Sequence, residues 1–140
     1  MPSEFERLHR FRVRFAEVDA QSVVFNSRYL EYADIALTEF MRSAEVPVAG
    51  PDSFEMHVVQ STVIYRQPLR FDDDVESWIR VSKIGRSSVA FDIEFRLAGS
   101  GELHAEVVLH YVHVDLATGR SAEIPPAIRR RLLPDAPESK

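Results

Sequence analysis

Two carboxylates lie in a segment that interrupts the regular patterns of the chain. Glu17 and Asp19 belong to the stretch EVDAQSVVFN at 17–26, directly before a segment with helical spacing. The start of a helix presents backbone N–H groups without partners and a partial positive charge, and such donors can polarise a carbonyl group and stabilise an oxyanion. A nearby carboxylate can attack that carbonyl or deprotonate a water molecule. These residue types therefore permit chemistry at a carbonyl carbon.

Asp19 also has a structural interpretation. Aspartate forms loop turns and caps helices, and acidic residues before helices are common. Spacing alone favours this interpretation over a catalytic one. On the helix that follows, Glu31, Asp34 and Glu39 lie mostly on the polar side, which favours solvated charges, although one of them facing a pocket would be an alternative base.

A second candidate is the turn at Lys83–Ser88, which reads KIGRSS. Its N–H groups and hydroxyls can bind a phosphate group, and its two cations would assist. A β-hairpin with solvated charges is the simpler interpretation, since Gly-Arg turns are frequent. The run at 129–131, three arginines, is expected on a solvated helix face, where it would at most add positive charge near an anionic ligand.

Other classes of site find little support. His104, His110 and His113 lie on one predicted strand, and a zinc site there would need further ligands from neighbouring strands. The chain has no cysteine, which excludes disulfides, thiolate metal sites and cysteine nucleophiles. No serine has the context of a nucleophile elbow. We therefore expect no metal site.

Length and composition indicate a single domain spanning 1–140. A chain of 140 residues buries about 68% of the surface that its unfolded form exposes, which suffices for a core. The net charge of −5 argues against nucleic-acid binding. No apolar run approaches the roughly 20 residues of a membrane span, and the start of the chain lacks the apolar stretch of a secretion signal. We therefore expect a cytoplasmic protein.

One long helix and several strands must position these candidates. Hydrophobic spacing predicts a strand at 11–15 and a helix, capped by Asn26 or Ser27, that runs to about Ala44. Its apolar stripe comprises Leu30, Ala33, Leu37, Phe40, Met41 and Ala44. Alternation predicts four further strands at 56–65, 75–84, 89–97 and 103–114, and a short helix starts at the prolines 125–126 and ends near Leu133.

These elements predict an α+β domain in which an antiparallel sheet of about five strands wraps around one long helix. In the strand at 56–65, strict alternation places Met56, Val58, Gln60, Thr62 and Ile64 on one face and His57, Val59, Ser61, Val63 and Tyr65 on the other. Uncovered sheet edges favour dimerisation by strand pairing.

Four segments stand in the order and at the spacing of a known family. They are RFAEVDAQSVVFNSRYLEYADIALTEFMR, VIYRQPLRFDDDVE, KIGRSSVAFDIEF and YVHVDLATGRSAEIPPAIRRRL. Together they resemble the 4-hydroxybenzoyl-CoA thioesterase family of hotdog proteins, and especially its Tol-Pal-associated acyl-CoA thioesterase branch. The resemblance runs from about Phe11 to Leu133 and implies a hotdog fold and hydrolysis of a CoA thioester.

The resemblance also implies roles for particular residues. The family's catalytic carboxylate corresponds to Asp19, and the backbone N–H that polarises the thioester carbonyl corresponds to that of Asn26. The CoA nucleotide and pyrophosphate would lie against Lys83, Gly85, Arg86, Ser87 and Ser88. A homodimer with composite active sites, often paired into a homotetramer, is implied, with no metal or redox cofactor, because CoA is part of the substrate.

Three aromatic residues near the helix start have two open interpretations. Phe25, Tyr29 and Tyr32 either line an aromatic acyl pocket or pack the helix, and packing is favoured for Tyr32. The loop also departs from the branch pattern. Gln21 and Ser22 replace two glycines, and Asn26 replaces a histidine, which removes a titratable group but not the backbone N–H.

These departures motivate an alternative to hydrolysis, namely a non-catalytic acyl-CoA-binding or assembly module on the same fold. Hydratase or dehydratase chemistry ranks lowest, because it needs a positioned acid/base pair and no histidine lies in the loop or the long helix. The identity of the acyl group is not readable from the residues.

Overall fold

The computed structural model describes residues 3–134 and contains one sheet, two α-helices and a single turn of 3₁₀-helix. The strands are β1 (Glu6–Arg12), β2 (Met56–Tyr65), β3 (Asp74–Ile84), β4 (Ser88–Leu97), β5 (Leu103–Asp115) and β6 (Arg120–Ser121); the helices are α1 (Arg28–Ser43) and α2 (Pro126–Leu132), and the 3₁₀ turn is Phe15–Glu17. The sheet is antiparallel, in the order β1-β3-β4-β5-β2, with β6 paired to β5. The predicted α+β architecture is confirmed, with the short β6 as an addition.

Helix α1 begins and ends where the sequence predicts. Ser27 is its N-cap and Ala44 its C-cap, although the Ser27 side chain makes no capping hydrogen bond. Its buried face consists of Tyr29, Tyr32, Ala33, Ala36, Leu37, Phe40 and Met41. The prediction for Leu30 was wrong, because this side chain is 41% exposed and the two tyrosines take the inward positions instead.

The core lies between α1 and the concave face of the sheet. Alternate residues of β3, β4 and β5 point inward and are buried, among them Val75, Ile79, Val81, Phe91, Ile93, Phe95, Val107 and Leu109. The neighbouring pairs Ile79–Ile93 and Ile93–Val107 show that these side chains form continuous rows across the strands. Burial of such rows is the main stabilising contribution to a domain of this kind.

The faces of β2 differ from the predicted alternation. The ladder with β5 slips between Val58 and Gln60, which leaves Val59 as an extra residue in a β-bulge. Met56 and Val58 therefore share the inner face with Ser61, Val63 and Tyr65, whereas the sequence pattern put them on opposite faces. A bulge of this kind depends on the partner strand and leaves no mark in the strand's own alternation.

The first strand also differs from its prediction. It spans Glu6–Arg12, so it begins earlier and ends before Phe15, which enters the 3₁₀ turn and is 77% exposed. The inward alternation holds at Phe11 and Val13. The chain therefore leaves the sheet at Val13, and this exit places the following loop beside the start of α1.

Candidate active site

The loop that carries Asp19 is a short, closed hairpin. At its base the Phe25 N–H donates to the Glu17 carbonyl over 3.0 Å, and the next pair is a β-bridge between Val18 and Val24. At the tip the Asp19 N–H donates to the Val23 carbonyl over 2.9 Å. This ladder brings the chain back from Asp19 to the first residues of α1.

The Asp19 carboxylate combines a structural role with an open position. One oxygen, Oδ1, accepts the Gln21 N–H over 2.8 Å and the Val23 N–H over 3.4 Å. This is the side-chain turn that the sequence allows. Within residues 3–134 the second oxygen, Oδ2, accepts no hydrogen bond, and the side chain is exposed. The turn therefore holds one oxygen and leaves the other available.

The tip of the hairpin contains a strained residue. Ser22 has a φ of 62°, the left-handed conformation in which glycine has no steric penalty. Of the two positions at which Gln21 and Ser22 stand in place of the glycines of the branch pattern, Ser22 has the positive φ and Gln21 does not. The Ser22 carbonyl nevertheless accepts the Phe71 N–H over 3.1 Å, so the strained tip stays attached to the segment before β3.

The start of α1 presents unpaired donors next to this hairpin. In the part of the chain that the structure describes, the backbone N–H groups of Asn26 and Ser27 donate to no protein acceptor. The Ser27 N–H, at the N-cap, belongs to the N–H groups that an α-helix leaves without an intrahelical partner, and the Asn26 N–H lies directly before them. A carbonyl oxygen placed there would receive a hydrogen bond and the favourable end of the helix dipole.

A cavity of about 250 Å³ opens beside these donors. Its lining comprises Val24, Asn26, Tyr29, Tyr65, Arg66, Gln67 and Pro68. The Tyr65 hydroxyl donates to the Asn26 carbonyl over 3.3 Å, and its ring meets that of Tyr29 edge to face at 5.1 Å. Burial raises the pKa of Tyr29, whose hydroxyl accepts the Leu69 N–H over 3.2 Å. Tyr29 thus both packs the helix and lines the pocket.

Phe25, the other aromatic candidate, does not line this cavity. Its side chain is exposed in the single chain, although its neighbour Asn26 forms part of the wall. Tyr32 packs inward, as favoured by its spacing, with its ring 4.4 Å from that of Phe11. The three aromatic residues therefore have three different environments.

Glu17 is the buried carboxylate of the loop, with only 6% of its surface exposed. Its Oε1 accepts the Arg14 N–H and the Tyr32 hydroxyl, each over 2.8 Å, and its Oε2 accepts the Arg14 guanidinium over 2.7 and 3.0 Å. Burial by itself would raise the pKa of Glu17, but these bonds from Arg14 and Tyr32 outweigh it and lower that pKa below its usual range. Burial and the bond to Glu17 raise the pKa of Tyr32.

The Lys83–Ser88 turn forms a tight hairpin between β3 and β4. The Gly85 N–H donates to the Ser88 carbonyl over 2.7 Å, and a Cβ at Gly85 would come within 2.7 Å of the Ser88 hydroxyl. Lys83, Arg86 and Ser88 are exposed, and Ser87 is half-buried with its carbonyl accepting the His113 N–H over 2.7 Å.

Arg129 is buried against the backbone of this hairpin, so the expectation that the arginine run is solvated was wrong at this residue. Its side chain is 7% exposed and donates to the Gly85 carbonyl over 2.7 Å and to the Arg86 carbonyl over 3.4 Å. Arg130 and Arg131 are exposed as expected. The Ile124 N–H, two residues before α2, also donates to the Arg86 carbonyl, over 2.8 Å, so α2 and the residues before it hold the carbonyl groups of Gly85 and Arg86.

Comparison with known proteins identifies the family. The family model of the Thioesterase-like superfamily matches residues 13–132, which include the loop, α1 and the hairpin. The chain belongs to this superfamily. An Aquifex aeolicus relative named "Putative esterase" is 33% identical over 86 residues, which are 60% of this chain and 67% of that protein.

Solved structures agree with this assignment. A hypothetical protein from Thermus thermophilus is 29% identical, with a TM-score of 0.81 over 91% of this chain and 97% of its own. A 1,4-dihydroxy-2-naphthoyl-CoA thioesterase from Synechocystis has a TM-score of 0.82 over 92% of this chain and 97% of its own, and at 19% identity this likeness shows the fold alone. The predicted hotdog fold is confirmed.

The two candidate regions of this thioesterase-like chain lie apart in the single subunit. The loop at 17–26 packs against the segment before β3, as the 2.8 Å bond from the Val24 N–H to the Leu69 carbonyl shows, whereas the hairpin follows the end of β3. An 11-residue strand separates them, which at about 3.3 Å per residue corresponds to roughly 30 Å. The structure therefore brings Asp19 close to Asn26 but not to Lys83 or Arg86.

Sequence reasoning missed several residues of the loop and the cavity. Glu17 received no role of its own, Tyr65 was assigned only to the end of a strand, and Gln67 was assigned to no element. Within residues 3–134 no three His, Asp or Glu side chains are grouped so as to hold a metal ion, and no helix has the length and apolarity to cross a membrane.

Proposed function

We propose that this member of the Thioesterase-like superfamily hydrolyses acyl-CoA thioesters, with Asp19 as the catalytic carboxylate. The observation that carries the proposal is the pairing of an open carboxylate oxygen on Asp19 with the unpaired N–H groups of Asn26 and Ser27, connected by one closed hairpin beside an aromatic cavity. An attacking or water-activating group and an oxyanion donor are the two parts that acyl transfer needs. Assignment to the Tol-Pal-associated branch is part of the proposal and rests on the four sequence segments.

The thioester carbonyl would enter the cavity with its oxygen at the Asn26 N–H. In the covalent route, Asp19 Oδ2 attacks the carbonyl carbon, the C–S bond breaks, CoA leaves as a thiolate, and water then hydrolyses the mixed anhydride to the acid and Asp19. In the general-base route, Asp19 takes a proton from water as the water oxygen attacks the carbonyl carbon; the C–S bond then breaks, and CoA leaves with the proton that Asp19 had taken, which restores the carboxylate. Neither route needs a metal or redox cofactor.

Single-turnover hydrolysis in ¹⁸O-labelled water separates the two routes. Label recovered in the Asp19 carboxylate supports the anhydride, because water that attacks the anhydride at the Asp19 carbonyl carbon leaves its oxygen there. Label recovered only in the free acid, with none in Asp19, supports the general-base route, in which the water oxygen adds directly to the acyl carbonyl carbon.

A homodimer through β2 would complete the site. The two sheet edges differ, since β1 carries ion pairs from Arg7 to Glu76 and from Arg10 to Asp74, whereas β2 exposes apolar side chains on both faces. Val59 is 64% exposed, and Val58 and Tyr65 are about half exposed. Charged edges resist strand pairing and long apolar edges promote it.

Antiparallel pairing of two β2 strands also explains how separate regions can meet. The Met56 end of β2 lies next to His113, which bonds the hairpin residue Ser87, and the Tyr65 end lies next to Asn26. A twofold axis across β2 therefore brings the hairpin of one subunit towards the cavity of its partner. Across the sheet, the hairpin at β4 lies about two strand spacings, or 10 Å, from β2. Lys83, Arg86 and the two serines at 87–88 would then bind the CoA phosphates of the partner's substrate.

The proposal is tested by thiol release from a panel of short aliphatic, long aliphatic and aromatic acyl-CoA esters, with calorimetric binding of the same esters in parallel. Turnover of at least one class supports a hydrolase. Tight binding across the panel without thiol release would support the alternative, a non-catalytic acyl-CoA-binding or assembly module, which the strained Ser22 in the Asp19 loop favours.

A further inference from the structure

Glu17 occupies the junction between the two halves of the proposed catalytic machinery. Its carboxylate receives the Tyr32 hydroxyl from α1, and its backbone carbonyl receives the Phe25 N–H, the residue directly before Asn26. Asp19 follows two residues later on the same arm of the hairpin. One residue therefore bonds the arm that bears the carboxylate, the arm that leads to the oxyanion donor, and the helix itself.

The bonds of Glu17 use both carboxylate oxygens within a buried setting. Arg14 supplies its backbone N–H to one oxygen and its guanidinium to the other, which fixes the orientation of the carboxylate from the side of the sheet. Tyr32 fixes it from the side of the helix, and its ring is held by Phe11 at 4.4 Å and by Phe95 at 6.0 Å. A charged acceptor with several donors makes shorter and stronger hydrogen bonds than a neutral one.

We propose that Glu17, held by Tyr32, is a positioning residue that sets the Asp19 carboxylate relative to the Asn26 N–H. The inference rests on the hydrolase function proposed above and deepens it. Glu17 does not line the cavity beside Asn26; it faces a separate space of about 360 Å³ bordered by His9, Phe11 and Ile35 among others. It thus acts through the loop and not by touching the substrate.

Loss of the Glu17 contacts would let the hairpin shift against the helix. Small displacements of a reacting group lower the rate steeply, by about 100-fold for 1 Å, while ground-state binding through other contacts persists. The expected signature is therefore a lower kcat with little change in KM. A residue that only supports the fold would instead lower thermal stability and leave kcat unchanged at temperatures at which the protein is folded.

The test uses Tyr32→Phe, Glu17→Gln and a control, Val81→Ala, in the full chain. Tyr32→Phe removes one hydroxyl and keeps the ring packing, so it remains folded even if Glu17→Gln does not. Val81 is fully buried in β3, eight residues past Asp73. Its replacement by alanine should lower the melting temperature through the core and not through the Asp19 loop. Measurements are kcat and KM on an ester that the wild type hydrolyses, melting temperature, and hydrogen exchange of the Phe25 amide.

Three outcomes decide the matter. The positioning role is supported if Tyr32→Phe lowers kcat by about 10- to 100-fold, keeps KM within twofold of wild type and exchanges the Phe25 amide faster. Val81→Ala should keep the full kcat. If folded Tyr32→Phe keeps the wild-type kcat and only its melting temperature is lower, the positioning role is overturned while the hydrolase function stands. A wild type that releases no thiol from any ester refutes the hydrolase function first, and the positioning role falls with it.

Discussion

At the scale of single residues, the tip of the Asp19 loop contains strain that a glycine would relieve. Ser22 has a φ of 62° and sits three residues after Asp19. A left-handed conformation costs a non-glycine residue about 1 kcal/mol, and the flexibility that glycine adds to the unfolded chain offsets part of the gain. We expect Ser22→Gly to raise the free energy of unfolding by up to about 1 kcal/mol, measured by urea denaturation.

Ser100→Gly is the matched control for that substitution. Ser100 also lies in an exposed turn, but it has no positive φ, and its hydroxyl accepts the Glu102 N–H over 3.2 Å. This variant should be neutral or slightly destabilised. Equal effects of the two substitutions would contradict the assignment of strain to Ser22.

Glu17 gives the stability of the protein a specific dependence on pH. Its pKa in the folded protein lies below the ordinary value of 4.5, so the ionised form stabilises the fold at any pH above that value. This contribution is lost as the pH falls through the lowered pKa of the folded state. We expect the unfolding free energy of Glu17→Gln, measured between pH 6 and 3, to fall less steeply on acidification than that of the wild type. Parallel curves would show that Glu17 is not held ionised.

At the scale of elements, α2 supports the hairpin through one buried arginine. Arg129 is the donor to the Gly85 and Arg86 carbonyls, and hydrogen bonds from a charged group contribute about 1.5–3 kcal/mol each. We expect Arg129→Met to lower the unfolding free energy by about 2 kcal/mol in chemical denaturation. It should also raise KM for CoA esters, because the hairpin loses its support.

The exposed neighbour Arg130 provides the comparison. Arg130→Met removes the same charge from α2 and should change stability by less than about 0.5 kcal/mol. Similar losses for both variants would mean that the net charge of the helix matters and not the contact with the hairpin.

Elements whose signals are local were predictable from the sequence. The bounds of α1 follow from Ser27 and the apolar spacing, and β3, β4 and β5 follow from the strand patterns at 75–84, 89–97 and 103–114. The bulge at Val59 and the exposure of Leu30 were not, because they depend on the register with β5 and on which helix face meets the sheet.

The site was predictable only in part for a similar reason. Asp19 and Asn26 were chosen from the family resemblance, and the structure brings both to one hairpin and one helix start. The contact between Glu17 and Tyr32 joins residues 15 positions apart, and the burial of Arg129 requires a carbonyl partner 44 positions away. The residue types of Glu17 and Arg129 do not predict burial, since ionised carboxylates and guanidinium groups usually lie at protein surfaces.

At the scale of the whole molecule, the exposed apolar β2 edge predicts a dimer. Val58→Lys places a charge on the inner face of this edge, where two copies would meet, and should convert the dimer to monomers in sedimentation experiments. Glu6→Lys on the charged β1 edge is the control and should remain dimeric. Loss of activity together with the dimer would show that each site needs both subunits, whereas a fully active monomer would contradict the composite site.

The central claim concerns the Asp19 carboxylate, and one pair of variants tests it most directly. Asp19→Asn keeps the turn-forming oxygen and removes the nucleophile or base; Asp115→Asn is matched to it, since Asp115 makes the same kind of turn, to the Ala117 N–H over 2.9 Å, in a loop without a helix start. With an ester that the wild type hydrolyses, we predict that kcat/KM falls by at least about 100-fold in Asp19→Asn and stays near wild type in Asp115→Asn. A folded Asp19→Asn with wild-type kcat/KM would contradict the account.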